Sequence, residues 1–260
     1  MWSRHGIRIL PGPSSLWLDA DGHRLPAPLF PGFDALGALL HVTRRGDDHS
    51  WFVLDRTILG SEFALSGSEQ NPDLTGKDVR LLAERVRPGA VGPVETFARR
   101  SPEFLAADDP EALAAAMNAL TGDDRIDPAA LRATIEARDA QVATGLGKDP
   151  QVVATAAARH YLVDRLIRVA KPHRLLDRAH GPLYAVRLSV LTRKTLGGLH
   201  TDVDGRVLRP DGTVLPGLWA AGEASGFGGG GVHGNRALEG TFLGGCLSSG
   251  RRAGRALGGG

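Results

Sequence analysis

The chain has 260 residues, with 31 Lys and Arg against 29 Asp and Glu and a net charge of +2. Near-balanced charge without a basic block excludes a nucleic-acid footprint, and no apolar run is long enough to predict a membrane span. The 42% hydrophobic and 23% charged fractions fit a globular protein with one large core or two small ones. One cysteine, Cys246, rules out a disulfide within the chain and suits a reducing compartment. The opening residues lack the charged, apolar and cleavage regions of a signal peptide, so the expected location is cytoplasmic.

Residues 7–10 predict a short strand that stops at Pro11-Gly-Pro13. Leu16-Trp-Leu18 and Arg24-Leu25 flank Asp21-Gly22, which reads as a hairpin with an Asp-Gly turn. A Pro- and Gly-rich loop over 26–36 leads to a short helix or strand around 33–42 and a strand at 51–54. Thr75 to Asp78 has the form of a capping box ahead of Val79, Leu82, Ala83 and Val86, and Pro88-Gly89 ends that helix. Asp109-Pro110 and Asp127-Pro128 each set a capping acid before a proline at the first helical position. They predict helices over 110–120, closed by Gly122, and 128–144, closed by Gly145. The alanine-rich stretch 152–168 begins as a helix, so residues 60–180 read as a mostly helical insertion.

From Gly181 the pattern turns to β. Residues 183–188 alternate, and 197–201 and 206–208 pair across Asp204-Gly205, with a further turn at Asp211-Gly212. Leu218 to Ala221, entered through Pro216-Gly217, reads as a buried parallel strand with Glu223 just beyond its C-terminal end. Gly226, Gly228, Gly229, Gly230, Gly231 and Gly234 follow. A helix then starts near Thr241, its N-cap, with Leu243, Cys246, Leu247, Gly250, Ala253, Gly254 and Leu257 on one stripe. Arg251, Arg252 and Arg255 complement the far end of its dipole. Strand, acid, glycine loop and helix N-terminus form an arrangement at which open α/β sheets bind anionic ligands. On spacing alone, a crossover with a functionless glycine tract stands as an equal reading.

The residues themselves separate these readings. Pro216-Gly-Leu-Trp-Ala-Ala-Gly-Glu-Ala-Ser225, followed by Gly231-Val-His-Gly-Asn-Arg236 and a small-residue helix, resembles the C-terminal flavin-binding segment of the fumarate reductase/succinate dehydrogenase flavoprotein superfamily. Gly181-Pro-Leu-Tyr-Ala185 and Thr195-Leu-Gly-Gly-Leu-His-Thr-Asp202 recur in order in that group, and the stretch 66–76 is similar to its 3-ketosteroid dehydrogenase-like members. The resemblance implies an α/β (α+β) fold, with part of a Rossmann-like FAD-binding domain and a mostly helical substrate-capping domain. Residues 1–45 would form the link and hairpin, 46–180 the cap, and 181–260 the C-terminal part of the flavin domain.

Such proteins open with a βαβ unit whose Gly-x-Gly-x-x-Gly turn holds the FAD pyrophosphate, and no such motif stands in these residues. The chain is therefore expected to correspond to the C-terminal half of a longer enzyme: a split-gene product, a truncated start or a fragment.

For the cofactor, FAD, the resemblance assigns Glu223 to the ribityl chain, with Gly222, Gly240, Thr241, Phe242, Leu243 and Gly244 as its neighbours. Amides at the helix N-terminus would stabilise charge on the flavin's pyrimidine edge. Arg236 falls near the proton-donating arginine of fumarate reductases, although it is equally placed to pair with Glu239. Asn235 lies near a tyrosine that polarises the 3-keto group in ketosteroid dehydrogenases. Tyr184 reads as a core strand residue or as an acid lining the substrate pocket, and His233 and His200 as structural. Arg193 and Lys194 stand where fumarate reductases hold substrate carboxylate with histidines. No His/Cys/Asp group has metal-ligand spacing, and no metal is expected.

The implied reaction removes hydride and a proton from adjacent carbons next to a carbonyl of a small apolar substrate, with flavin as acceptor. The alternative is a non-catalytic chain that completes an FAD site only with a partner chain carrying the N-terminal half.

Overall fold

The computed structural model describes residues 9–10, 12–65, 83, 92–145, 147–190, 198–226 and 242–259. They fold as a mixture of helices and antiparallel sheets in two compact units, residues 1–32 with 38–190 and residues 33–37 with 191–260. In the first unit the elements are β1 (Ile9–Leu10), β2 (Leu16–Leu18), α1 (Ala35–Arg44, which begins in the second unit), β3 (His49–Asp55), α2 (Arg56–Glu62), β4 (Ala64–Leu65), α3 (Gly92–Arg100), β5 (Phe104–Ala107), α4 (Pro110–Thr121), α5 (Pro128–Thr144), α6 (Pro150–Ala158), α7 (Leu162–Ile167) and β6 (Leu183–Ser189).

Four strands form one antiparallel sheet in the order β2-β3-β6-β5, and β1 pairs separately with β4. Every residue of β3 is buried, so this strand is covered on both faces. On one face, edge-to-face aromatic rings run from Trp17 to Phe52 (5.2 Å), on to Phe63 (6.4 Å) and Phe104 (6.3 Å), and end at Phe97 of α3 (5.4 Å). These spacings favour the aromatic quadrupoles as well as burial. Leu113 and Met117 of α4 and Leu131 and Ile135 of α5 are almost wholly buried in the same core.

Helix starts follow the aspartates. Asp55, Asp109, Asp127 and Asp149 accept from backbone N–H groups at the starts of α2, α4, α5 and α6, and the last three precede a proline. The expected ends hold as well, since Gly122 and Gly145 are both left-handed. The stretch 152–168 differs from a single helix. It starts two residues earlier, at Pro150, and breaks after Ala158. Arg159 then donates to the carbonyls of Arg165 (3.3 Å) and Val169, which requires the chain to fold back. The expected helix around 75–87 lies outside the described residues, save Ala83, which is helical.

Segment 169–176 has no regular structure, and buried acids hold it. Glu62 Oε1 accepts from Ala170 N (2.7 Å), while its other oxygen accepts from Ser14 N (2.9 Å). Asp139 accepts from Leu175 N (2.8 Å) and Leu176 N (2.9 Å), and is balanced by buried Arg138. Asp55 contacts His173 Nε2 at 2.6 Å while its other oxygen caps α2. His173 Nδ1 lies 2.7 Å from the Lys171 carbonyl. Both ring nitrogens thus face acceptors, an arrangement that the doubly protonated ring satisfies.

In the second unit, β7 (Arg206–Leu208) and β8 (Val214–Trp219) form an antiparallel hairpin, and α8 (Phe242–Leu257) follows. The strand before the glycines is therefore not the buried parallel strand that its apolar run suggests. Asp211-Gly212 turns the chain back on itself, with Gly212 at φ 84°, so β8 takes its immediate predecessor as partner and leaves Leu218 41% exposed. The 197–201 segment pairs as expected where it is described: Thr201 bridges Val207, and Leu208 N donates to the His200 carbonyl. The stripe on α8 is only partly covered. Ala253 is buried, whereas Leu247 and Leu257 are mostly exposed. Among the described residues no helix is long and apolar enough to cross a membrane.

Burial pushes the Glu62 carboxyl up to about 7 against its two N–H donors. At His173, burial pulls the value down, but the bond and charge of Asp55 with the Lys171 carbonyl outweigh it and leave the imidazole above its ordinary value. Both groups hold protons more tightly folded than unfolded, so their stabilisation is complete below the unfolded value and is lost as pH rises through the folded one. The melting temperature is expected to fall between about pH 5 and about pH 8, with Glu62 accounting for on the order of 3 kcal/mol. In Asp55→Asn the loss of stability is expected to be larger at the acid end of that window. A melting temperature that climbs across the window would contradict both assignments.

Candidate functional site

The second unit is framed by glycines where its segments touch. Gly198 bridges Ser225, and Leu199 N donates to the Ala224 carbonyl (2.9 Å). A Cβ on Gly198 would lie 2.0 Å from Gly226 N, so no side chain fits there. At Gly205, φ is +86° and a Cβ would meet Ala253 at 2.9 Å, which fixes how closely the β7 turn approaches α8.

Between β8 and the glycine tract, Gly222–Ala224 makes a single 3-10 turn. Gly222 is buried with φ +62°, and a Cβ there would meet Cys246 Sγ at 3.2 Å. Gly222 N donates to Ser249 Oγ (2.9 Å), which in turn donates to the Gly245 carbonyl (2.7 Å). The turn closes through Ser225 N to the Gly222 carbonyl and Gly226 N to the Glu223 carbonyl. It therefore lies along the early turns of α8, with Glu223 exposed on its outer side. Gly244, in the first turn of α8, has nothing among the described residues within 4 Å of where a Cβ would stand. A bare helix start with open space beside it suits a flat ring packed against backbone amides. Phe242 and Leu243 open the same turn. Asn235, Arg236, Gly240 and Thr241 lie outside the described residues, as does His233.

Tyr184 belongs to the first unit. It is half-buried on β6 opposite Leu54 of β3 and Ala106 of β5. The guanidinium of Arg56 is held above its ordinary value chiefly by Glu95, 3.0 Å away, and next by a hydrogen bond with the Tyr184 side chain. The structure thus brings Gly222, Glu223 and the start of α8 into one unit and assigns Tyr184 to the other.

Sequence reading passed over two polar clusters in the first unit. His173 stacks on His180 with ring centroids 3.8 Å apart, and His180 Nδ1 lies 3.0 Å from Thr57 Oγ1, beside buried Asp55. Only the position of Asp55, between a strand and a helix, signals this group locally. In the other cluster, Arg24 bonds both oxygens of Asp149 and Gln151 Oε1, across more than a hundred residues of sequence. Burial alone would raise the Asp149 carboxyl, but Arg24 outweighs it and leaves the group below the ordinary carboxylate range. Asp19, Asp21 and His23 also place ligand atoms within 4.8 Å of one another, but Arg45 and Arg125 already engage the two acids.

Comparison with known proteins follows the same line. The family model described as FAD binding domain matches residues 1–243. A KsdD-like steroid dehydrogenase of Mycobacterium tuberculosis is 58% identical over 256 residues, covering 98% of this chain and 45% of that protein. One from Mycolicibacterium smegmatis is 59% identical over 243 residues, covering 94% of this chain and 44% of that protein. The chain thus spans a little under half the length of these curated relatives. Among solved structures, 3-ketosteroid delta1-dehydrogenase from Sterolibacterium denitrificans, in complex with 1,4-androstadiene-3,17-dione, superposes with a TM-score of 0.52 at 20% identity, over 94% of this chain and 38% of that one. That likeness concerns the fold. By the match over residues 1–243, the chain belongs to the FAD binding domain family.

Proposed function

We propose that this chain forms the ring-facing side of an FAD site in a dehydrogenase that desaturates a carbon–carbon bond next to a carbonyl, in a steroid-like or other apolar ketone. The observation that carries this reading is the glycine-framed turn at Gly222–Ala224 lying along α8, next to an open helix start, in a chain of the FAD binding domain family. High identity to proteins named KsdD-like steroid dehydrogenases supports the substrate class.

FAD, when bound, supplies the two-electron acceptor. Glu223 would hold its ribityl chain through hydroxyl hydrogen bonds, and the amides of Phe242, Leu243 and Gly244 would stabilise negative charge on its ring. Gly240 and Thr241 lead into that contact. On the substrate, one C–H bond is lost as hydride and the adjacent one as a proton, while the two carbons gain a double bond. Tyr184, or Asn235, donates a hydrogen bond to the substrate carbonyl and so acidifies the neighbouring C–H. Arg236 moves the proton. Residues 46–180 cap the substrate, 181–260 complete the flavin side, 1–45 link the two, and the protein works in the cytoplasm.

A second reading has a specific observation behind it. Leu199, Val203, Leu218, Leu247 and Leu257 of the second unit are all at least 41% exposed. A partner chain carrying the remaining flavin-binding half would cover such a surface and complete the site.

Two measurements test these readings. The purified chain is expected to carry a flavin absorbance band, and Glu223→Gln to lower FAD affinity on the order of tenfold while the melting temperature holds. A colourless chain that turns yellow only when mixed with a separate N-terminal half supports the second reading, and no flavin under either condition rules out both. With a 3-ketosteroid and an artificial electron acceptor, Arg236→Ala is expected to lower kcat by about 10²- to 10⁴-fold with flavin content unchanged. Full turnover by that variant would remove Arg236 from the reaction.

A further inference from the structure

The first unit encloses a half-open cavity of about 400 Å³ that neither the flavin residues nor Tyr184 line. This size falls within the range of small-molecule sites. Leu25, Leu29 and Phe30 form an apolar wall, and Leu25 and Leu29 are themselves more than nine-tenths buried. Ala137 and Gln141 face it from α5, one helical turn apart.

Most of the polar lining is already engaged. Arg24 is neutralised by Asp149 and also bonds Gln151 Oε1 (2.7 Å), while Gln151 Nε2 donates to the carbonyls of Pro13 (2.8 Å) and Ser15 (2.7 Å). Two groups remain. Gln141 Oε1 is buried with no hydrogen-bond partner among the described residues, an arrangement that folded proteins avoid. Lys148 is exposed and has no ion-pair partner among the described residues. Gly145 and Gly147, both just before it in sequence, take positive φ, and Lys148 lines the cavity. The result is an apolar pocket with one surplus positive charge and one buried, unmet acceptor.

We propose that this cavity binds a small apolar carboxylate that also carries a hydroxyl group. The carboxylate pairs with Lys148, the apolar body lies against Leu25, Leu29 and Phe30, and the hydroxyl donates to Gln141 Oε1. The site shares no residue with the assigned flavin site and does not depend on that assignment.

Calorimetric titration of the full chain with cholate and with its uncharged methyl ester tests this. Cholate is expected to bind, and the ester about fivefold more weakly, the size of one exposed ion pair. Lys148→Gln should bring cholate down to the level of the ester. Gln141→Leu should weaken both ligands equally, because it removes the acceptor and not the charge. Ala137→Phe, at an exposed position on the lining, should abolish binding of both with the melting temperature retained. If Ala137→Phe fails to fold, Lys148→Gln decides alone, since that side chain is exposed. No heat from either ligand up to the concentration at which cholate forms micelles would overturn the proposal. So would cholate binding that none of the three variants alters, which would put the ligand elsewhere on the chain.

Discussion

Asp55, Glu62 and Asp139 are buried carboxylates from three different elements, and all three aim at the irregular segment between α7 and β6. A buried segment without a helix or ladder leaves its N–H groups needing acceptors, and each one unmet would cost about 1–3 kcal/mol. These acids supply the acceptors at Ala170, Leu175 and Leu176, and fix His173 between them. The segment in turn delivers β6 to its register beside β3, with Val186 opposite Phe52. The central strand pair of the first unit thus rests on a polar network rather than on apolar packing alone. Glu62 and His173 within it are protonation-sensitive in the same direction, which makes the network conditional on pH in a way that the aromatic chain beside it is not.

The second unit uses a different device. Among its described residues the buried apolar side chains are small: Val207, Ala220 and Ala253. Close approach there comes from missing side chains: Gly198, Gly205 and Gly222 mark contacts that a Cβ would obstruct. Glycine at these points lets backbone meet backbone or helix directly. The same economy leaves the first turn of α8 bare at Gly244, and so suits it to a flat ligand.

Local chemistry was legible in the sequence and distant pairing was not. Asp-Pro and Asp-Gly signals located α4, α5 and the turns at Gly22, Gly205 and Gly212, because caps and turns are settled within four residues. The same Asp-Pro signal at Asp149-Pro150 starts α6 two residues ahead of the apolar, alanine-rich run that it precedes. The apolar run through Leu218 misled, since continuous apolarity marks burial only when neighbours exist on both faces, and β8 has β7 as its one paired strand among the described residues. No short-range pattern marks the contact of His173 with Asp55 or of Arg24 with Asp149, because those pairs form across 118 and 125 positions. The flavin residues were named through resemblance, and several of them fall outside the described part of the chain.

Cys246 is the single cysteine and sits one turn into α8, with its sulfur beside Gly222, which makes it a built-in reporter for the central claim. The most direct measurement is its rate of alkylation with and without saturating FAD, in the native and in the fully unfolded chain. If a flavin lies against the start of α8 between Glu223 and Gly244, FAD will slow alkylation of the native chain several-fold and leave the unfolded chain unaffected. Equal rates in the native chain, under conditions where FAD is demonstrably bound, would put the flavin elsewhere and contradict the account.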